Sequence, residues 1–351
     1  MSRVKLGDVA REHKETIKGD KSNYPIVGLE HLIPENIRLI QWDCNKENTF
    51  TKVFRKGCVL FGRRRAYLKK AVYADFDGIC SGDITVIEAI PGKILPELLP
   101  FVIQNDDLFD YAVGKSAGSL SPRVKWEHLK NYEFELPDIE RQHELAKILW
   151  SIVETKESYE RLMAATDELV KSQFIELLNK TENKCIKKMS ELVSYLPKSS
   201  MNAADGKEIG LYPFFTSGLE QNKFTDNYLY DDECLIIGNG GVANIQYYNG
   251  KFATGSHSFV TKSKIPTVRI RYLYSYFYSN MDILEEGFRG VGIKNIPKEY
   301  INEINIPVPS IEQQDNLISL FEQSDKSKFE LENCIKNAVS MYKKILKEYL
   351  E

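Results

Sequence analysis

Between Thr51 and Ala74 of this 351-residue sequence, every charged side chain is basic. Arginine offers a rigid fork of donors that bonds two acceptors at once, and lysine offers a compact point charge. Such a cluster is typical of a surface that binds anions. The net charge of −3 argues against a polyanionic partner by itself, but the distribution of charge matters more than the sum. The basic residues are Lys52, Arg55, Lys56, Arg63, Arg64, Arg65, Lys69 and Lys70.

Catalysis is the competing class of function, and the sequence offers little for it. There is no N-P-P-Y type loop for a base-flipping methyltransferase and no G-x-x-x-x-G-K-S/T loop for ATP. Carboxylates cluster at residues 75–77 and 231–233, but both stretches are expected turns, where acidic residues are common. Six cysteines without C-x-x-C spacing favour neither a zinc site nor disulfides. We expect a non-catalytic protein without a metal, from a reducing compartment.

The sequence also predicts a cytoplasmic protein. The first residues, MSRVKLGDVAREHK, lack the apolar core of a secretion signal. No run approaches the 18 apolar residues that a membrane-spanning helix needs. We therefore expect no membrane partner.

Two stretches repeat each other at a fixed offset and must belong to matching elements. LPDIERQHELAKIL (136–149) shares its skeleton with VPSIEQQDNLISLF (308–321), so that Pro137 corresponds to Pro309 at an offset of 172 residues (309 minus 137). Asp138 and Ser310 are capping residues placed directly after these prolines, and Ser310 with Gln313 fits a capping box. The sequence therefore predicts two long helices that begin in the same way.

An apolar seam in alternating steps of four and three follows each start, which is typical of a helix that pairs in a coiled coil. Each helix could instead pack on the core of its own domain. A helix of about 40 residues at about 1.5 Å per residue is a rod near 60 Å, which is long for one domain to cover. The predicted seams are Leu145, Leu149, Ile152, Tyr159, Met163, Val170 and Leu177 on the first helix, and Leu317, Phe321, Leu331, Ile335, Tyr342, Ile345 and Tyr349 on the second.

The segments before the two helices resemble each other faintly. GCVLFGRRR (57–65) aligns with DECLIIGNGG (232–241), and SGDITVI (81–87) with GSHSFVT (255–261). CVLFG, ITVIEA, CLIIG and SFVT are short β-rich runs, whereas residues 97–113 and 270–287 are typical of helices. We predict an α+β fold in four parts: a mixed α/β domain at 1–136, a long helix at 137–180, a second domain at 185–308 and a second long helix at 309–351.

These motifs resemble the specificity subunits of type I restriction-modification enzymes. GCVLFGRRRAYLKKAVYADFDGICSGDITVIEA, GSLSPRVKWEHLKNYEFELPDIERQ and GIKNIPKEYINEINIPVPSIEQQ carry the resemblance, which covers nearly the whole chain. It implies two target recognition domains in tandem, each reading one half of a split DNA sequence. It further implies that the two helices pair as an antiparallel coiled coil with pseudo-twofold symmetry and dock methyltransferase subunits.

The resemblance makes specific side chains candidates for DNA contact. Arginine suits guanine, Asn and Gln suit adenine, and lysine mainly neutralises phosphate. A solvated basic strand and a simple Asn-Gly turn are the alternatives at these positions. The candidates in the first domain are Arg63, Arg64, Arg65, Tyr67, Lys69, Lys70, Ser121, Arg123 and Lys125. In the second domain they are Asn239, Asn244, Gln246, Ser256, His257, Arg289 and Lys294.

The partners implied are double-stranded DNA, two methyltransferase (modification) subunits and restriction/translocase subunits. This chain is expected to bind no cofactor, whereas S-adenosylmethionine, ATP and magnesium belong to the partner subunits. The alternative function is a coiled-coil scaffold that binds other proteins without reading DNA. The net negative charge of the chain favours this scaffold alternative, whereas the basic cluster at 63–70 argues against it.

Overall fold

The structure of the chain is a computed structural model that describes residues 2–219, 221–292 and 294–350. These residues form a mixed fold of helices and sheets with two long helices, as the sequence predicts. The chain divides into two compact units, Met1–Glu160 with Glu332–Glu351, and Arg161–Leu331. Each long helix contributes one part to each unit. The four-part domain boundaries given above remain a prediction.

The first unit contains nine strands and the first five helices among its described residues. The strands are β1 (Ser2–Lys5), β2 (Ala10–Glu12), β3 (Ile26–Val27), β4 (Lys52–Phe54), β5 (Val59–Gly62), β6 (Ala71–Tyr73), β7 (Gly78–Cys80), β8 (Ile84–Ala89) and β9 (Glu133–Leu136). The helices are α1 (Leu6–Val9), α2 (Leu99–Ile103), α3 (Asp106–Gly114), α4 (Trp126–Leu129) and the start of α5 (Ile139–Lys180).

The centre of this unit is a four-stranded antiparallel sheet in the order β2-β8-β5-β6, beside a three-stranded sheet in the order β3-β7-β4. Every residue of VLFG in β5 is buried, which is why this strand is continuously apolar rather than alternating. The predicted helix at 97–113 is two helices, because Asn105 caps α3 by accepting the N–H of Asp107 at 2.9 Å.

The described residues of the second unit form eight strands and four short helices, together with the end of α5 and the start of the second long helix. The strands are β10 (Cys185–Lys188), β11 (Val193–Tyr195), β12 (Tyr212–Phe215), β13 (Lys223–Thr225), β14 (Tyr230–Gly238), β15 (Ile245–Thr254), β16 (Ser258–Ser263) and β17 (Asn305–Val308). The helices are α6 (Met189–Leu192), α7 (Ile270–Ser279), α8 (Asp282–Glu285), α9 (Lys298–Glu303) and α10 (Ile311–Leu350). Six strands form one sheet in the order β11-β16-β14-β15-β12-β13.

Buried glutamines fix the start of both long helices and explain the repeated motif. Gln142 donates to the carbonyl of Pro137 at 2.9 Å and accepts the N–H of Leu95 at 3.0 Å. Gln314 donates in the same way to Pro309 at 2.9 Å. It also donates to the carbonyl of Thr267 and accepts the N–H of Arg269, both at 2.9 Å. Each glutamine therefore ties the first turn of its helix to a segment of its own unit.

The start signals predicted from the sequence are present. Asp138 accepts the N–H of Arg141 at 3.0 Å at the head of α5. Ser310 accepts the N–H of Gln313 at 3.3 Å, and the Gln313 side chain accepts the N–H of Ser310 at 3.1 Å, which is the capping box.

The two long helices pair antiparallel within the first unit. Near the start of α5, Arg141 donates to the hydroxyl of Tyr349 at 2.7 Å, close to the end of α10. Further along α5, Ile152 lines the same cavity as Ala338, which lies earlier on α10. Leu145 and Leu149 of α5 and Leu346 and Leu350 of α10 belong to the same buried cluster as the sheet, so these parts of the helices pack on the core of the unit.

The second unit contains an equivalent antiparallel pair. Phe174 of α5 meets Phe321 of α10 edge to face, with ring centroids 5.5 Å apart. Asp167, earlier on α5, forms an ion pair with Lys328, later on α10. Lys328, which lies between Phe321 and Leu331 of the predicted seam, is therefore paired with a carboxylate of the facing helix.

The buried stripe departs from the predicted seam towards the end of each long helix, and at the end of α10 the buried residues are Leu346 and Leu350. Leu177 is 44% exposed, and Phe174 and Leu178 are buried beside Val170 instead. These buried residues follow one another in steps of four. An α-helix of 3.6 residues per turn drifts about 20° per heptad from a strict seven-residue pattern, so a four-three seam extended too far leaves the interface.

Candidate nucleic-acid interface

In the first unit, β5 runs directly into the arginine turn, defined as residues 63–65. The arginine turn meets the leucine loop, defined as residues 117–125. The N–H of Arg65 donates to the carbonyl of Pro122 at 2.8 Å, and the N–H of Val124 donates into the turn at 2.9 Å. Two segments that lie about 60 residues apart in sequence therefore form one surface at the end of the central sheet.

Asp83 organises the cationic side chains of this surface. Arg123 binds it through two nitrogens, with Nε 2.7 Å from one carboxylate oxygen and Nη2 3.2 Å from the other. Arg64 lies 3.7 Å from the same carboxylate and donates through Nε to the hydroxyl of Ser121 at 2.5 Å. The hydrogen bond from Arg123 lowers the pKa of Asp83 against the opposing effect of burial, so the carboxylate stays charged. Both arginines are thereby held in defined positions while remaining partly exposed.

The backbone next to Arg64 is bent into an uncommon conformation. Arg65 has φ 55° and Lys69 has φ 49°, and both lie in the left-handed region that side chains other than glycine rarely adopt. They bracket a short 3-10 turn whose Tyr67 is 55% exposed. Such conformations persist only where the surrounding structure enforces them, and they concentrate at functional sites.

The second unit builds the same junction from different residues. Here β14 runs into the glycine turn, defined as residues 239–241, which meets the valine loop, defined as residues 289–292 and 294–296. The N–H of Gly241 donates to the carbonyl of Lys294 at 2.9 Å, and the N–H of Ile296 donates to the carbonyl of Asn239 at 3.1 Å. These bonds match those between the arginine turn and the leucine loop.

The matching bonds assign equivalent positions in the two units. The N–H of Arg63 donates to the carbonyl of Asp83 at 3.0 Å, and the N–H of Asn239 donates to the carbonyl of His257 at 3.0 Å. The backbone of Arg64 pairs with that of Arg123 in an isolated antiparallel β-bridge, and the backbone of Gly240 pairs with that of Asn295 in the same way. The positions held by Arg64, Asp83 and Arg123 in the first unit are therefore held by Gly240, His257 and Asn295 in the second.

Gly240 lies close to the side chains of Asn295 and His257 at this junction. A Cβ atom there would lie 3.0 Å from Oδ1 of Asn295 and 3.9 Å from Nδ1 of His257. The second junction thus presents a neutral amide and an imidazole where the first presents two arginines on a carboxylate. One backbone arrangement carries two different hydrogen-bonding surfaces.

Comparison with known proteins identifies the family. Residues 1–164 and 180–341 each match the model of the type I restriction modification DNA specificity domain. The chain belongs to this family. It therefore carries two specificity domains in tandem, and the role common to the family is DNA sequence specificity.

Individual relatives agree with this assignment. A stretch of 139 residues is 29% identical to the EcoDI specificity subunit of a type I restriction enzyme from Escherichia coli, and it covers 38% of this chain and 30% of that protein. The fold resembles the type I restriction-modification S subunit from M. genitalium, with a TM-score of 0.56, 13% identity, and coverage of 100% of this chain and 96% of the other. A chain solved in work on assembly of the type I R-M system gives a TM-score of 0.56 at 18% identity, covering 99% and 97%. At these identities the two structures establish a shared fold.

Some predicted DNA contacts in the first specificity domain have partners within the protein. Lys69 forms an ion pair with Asp106 at 2.5 Å, and Lys70 donates to the carbonyl of Leu29 at 2.8 Å. Among the described residues Lys125 forms no ion pair and is exposed, as Tyr67 is. The structure therefore favours the arginine turn, Tyr67 and Lys125 over the two lysines, and the contacts themselves remain predictions.

In the second specificity domain the structure gives Asn244 a different role from base reading. Its side chain is buried and donates to the carbonyls of Ser217 at 2.6 Å and Val242 at 3.1 Å, which closes a loop. Gln246 similarly donates to the carbonyl of Gly218 at 3.3 Å. These two amides hold the loop that precedes β13, because a buried amide is stable only when it is hydrogen-bonded.

The remaining candidates of this domain lie on the glycine turn or close to it. His257 is exposed and Ser256 is half-buried, with its N–H donating to the carbonyl of Met201 at 2.7 Å. Arg289 and Lys294 are exposed on the valine loop and form no ion pair among the described residues. Their predicted contact with phosphate fits this exposure and remains a prediction.

Two residues of the junctions, Asp83 and Asn295, are not among the candidates predicted from the sequence. The signal was present, since the alignment of SGDITVI with GSHSFVT places Asp83 opposite His257. The fold places Asp83 beside the arginine turn and Asn295 beside the glycine turn, and these contacts define the roles of the two residues.

Two other groups of side chains within the described residues have the composition of cation sites. One contains His13, Cys58 and Glu88, and the other contains Glu30, His31 and Asp43. Their members already bond to protein groups, because His13 and Arg11 share Glu88. No helix among the described residues is both long enough and apolar enough to cross a membrane.

Proposed function

We propose that this chain is the DNA specificity subunit of a type I restriction-modification complex, and that it recognises a split target with one half-site per specificity domain. The observation that carries this proposal is the pair of equivalent junctions. Arg64 and Arg123 present cationic donors around the carboxylate of Asp83, whereas His257 and Asn295 present an imidazole and an amide at the positions equivalent to Asp83 and Arg123. Because arginine suits guanine edges and amides suit adenine edges, the two domains would prefer different bases.

The chain is proposed to act without catalysis of its own. It would direct two methyltransferase subunits, and restriction/translocase subunits, to the DNA that it binds. S-adenosylmethionine, ATP and magnesium belong to those partners in this proposal. The support is the family membership together with the absence of the sequence motifs for methyl transfer and ATP binding.

The long helices are proposed to fix the spacing of the half-sites. α5 has 42 residues and α10 has 40, which corresponds to about 63 and 60 Å at about 1.5 Å per residue. Successive major grooves on one face of DNA lie roughly 34 to 36 Å apart. Helices of this length are sufficient to separate two reading surfaces by at least one turn of the duplex.

The direct test removes the arginines of the first domain and reads the bases that become methylated in cells. The double variant Arg64→Ala with Arg65→Ala, produced with the modification subunits, is expected to relax recognition of one half-site and leave the other unchanged. His257→Ala is the counterpart for the other half-site. The charge-matched control is Lys18→Ala with Lys93→Ala, which replaces two exposed lysines outside the junctions. It should change recognition of neither half-site. Equal relaxation of both halves by the arginine variant would contradict the assignment of one half-site to each domain.

The alternative function, a scaffold without DNA recognition, makes a different prediction for salt. Each phosphate neutralised on DNA contributes a slope of about −0.9 to the dependence of log affinity on log salt concentration. Binding of the complex to duplex DNA should therefore weaken steeply as salt rises. A flat dependence, or no binding with the modification subunits present, would favour the scaffold.

A further inference from the structure

The tips of the leucine loop and the valine loop share an unusual feature. Leu120 is 91% exposed and Val291 is fully exposed, with a relative accessibility of 107%. Single exposed apolar side chains are common on protein surfaces and need no explanation. These two differ because they recur in both specificity domains, on loops that are otherwise diverged in sequence.

Both loops are braced so that the tip points away from the protein. In the first domain, Ala117 and Arg123 exchange backbone hydrogen bonds at 3.0 and 2.9 Å across the neck of the loop. In the second, Arg289 and Asn295 exchange them at 2.9 Å each. Five residues lie between each pair; Leu120 is the third of them in the leucine loop, and Val291 is the second in the other loop, whose sequence also contains Ile293.

Glycines allow the tight chain reversal in each loop. Gly118 has φ 117°, and Gly290 and Gly292 have φ 136° and 91°, values that other residues rarely adopt. The loop is therefore a short ladder that is closed by backbone bonds and anchored to its junction. The apolar side chain at the tip of the loop is therefore kept outside the core.

The surroundings of Leu120 carry positive charge. The cations of the arginine turn and the leucine loop include Arg64, Arg65, Arg123 and Lys125. With the neighbouring carboxylate of Asp83, these five side chains have a net charge of +3. Val291 lies between Arg289 and Lys294 on its own loop. An apolar tip flanked by cations is complementary to a duplex, which presents phosphates at its edges and stacked bases between them.

We propose that Leu120 and Val291 are wedges that insert against a base step in their respective half-sites and partly unstack it. The flanking cations would hold the phosphates on either side. DNA-bending proteins use apolar side chains in this way to open base steps. This inference rests on the proposed function, since it requires that each domain binds one half-site.

The test uses the full chain with its modification subunits and duplexes that carry 2-aminopurine at one position at a time within each half-site. Fluorescence of this base rises when it unstacks. The wild-type complex should show a rise at a base step in each half-site. Leu120→Ala should abolish one of these signals and weaken binding about ten-fold, and Val291→Ala should abolish the other and weaken binding about five-fold. Leu120→Phe should retain the signal, because it restores an apolar wedge.

The control is Ile209→Ala, which removes a comparably exposed apolar side chain (86%) outside the two loops and should change nothing. A methyltransferase that flips its target base also raises fluorescence, but that signal should persist in the loop variants. The wedge proposal is overturned if no signal depends on Leu120 or Val291, or if both alanine variants bind DNA with wild-type affinity. It is also overturned if these variants lose the modification subunits while the DNA signals remain. If the wild-type complex has no sequence preference, the proposed function itself fails, which is a distinguishable outcome.

Discussion

Replacing Gln142 or Gln314 by leucine tests whether these side chains hold the long helices to their units. Leucine is close to glutamine in size but offers no hydrogen bond. Gln142→Leu leaves two backbone groups without their bonds, the carbonyl of Pro137 and the N–H of Leu95. Gln314→Leu leaves three backbone groups without theirs.

The expected cost follows from these counts. A buried polar group left unsatisfied costs about 1–3 kcal/mol, and the gain from burying an apolar side chain offsets part of it. We expect a loss of about 3 kcal/mol in the free energy of unfolding for Gln142→Leu and about 4 kcal/mol for Gln314→Leu. Urea denaturation with the matched control Gln323→Leu, at an exposed position of α10, measures both. The control should change by no more than about 0.5 kcal/mol.

Amide hydrogen exchange locates the effect. The N–H of Leu95 should exchange faster in Gln142→Leu alone, and the N–H of Arg269 in Gln314→Leu alone, because each loses its acceptor. If both variants unfold within about 0.5 kcal/mol of the wild type, or if these amides keep their protection, the glutamines do not fix the helix starts.

Three further predictions concern charge and spacing. Asp83→Asn should tighten binding to random duplex DNA and steepen its salt dependence, measured by fluorescence anisotropy, because Arg64 and Arg123 lose their shared carboxylate; an unchanged slope would show that these arginines stay away from phosphate. Burial raises the pKa of Asp167, but hydrogen bonds from Lys171, Lys328 and Tyr278 outweigh this effect and lower the pKa overall. The ionised carboxylate therefore stabilises the fold at pH values above its unfolded pKa. This stabilisation is lost as the pH falls through the lowered pKa of the folded state. Acid titrations of unfolding should therefore be less steep for Asp167→Asn, and identical titrations would refute the assignment. Inserting four residues into each long helix at the unit boundary should lengthen it by about 6 Å, near two base pairs, and lengthen the methylated spacer with the half-sites unchanged; changed half-sites with the old spacer would contradict the proposed spacing role.

The helices and much of the sheets could be predicted because their signals are local. A proline followed by a capping side chain and an apolar period specifies a helix start within a few residues. Asp138 and Ser310 behave as predicted for that reason. The break between α2 and α3 could not be predicted, because Asn105 caps a helix from inside a stretch that is apolar on both sides.

The candidate site was less accessible to sequence reasoning, because its contacts are long-range. Nothing near Lys69 in the sequence shows that Asp106 will pair with it, and nothing near Asn244 shows that its side chain will be buried against Ser217. The sequence alone therefore predicts the same availability for every side chain of the basic cluster, although only some of them are exposed without a partner in the protein. The equivalence of the two junctions depends on backbone bonds that no residue pattern specifies.

Two different DNA-contacting surfaces on one chain are proposed to specify a split DNA target. The most direct measurement is sequencing of methylated bases in cells that carry this chain with its modification subunits. We expect a single motif in two parts, separated by a gap of constant length and unspecified sequence, with different bases in each part. One uninterrupted motif, or methylation without sequence preference, would contradict it.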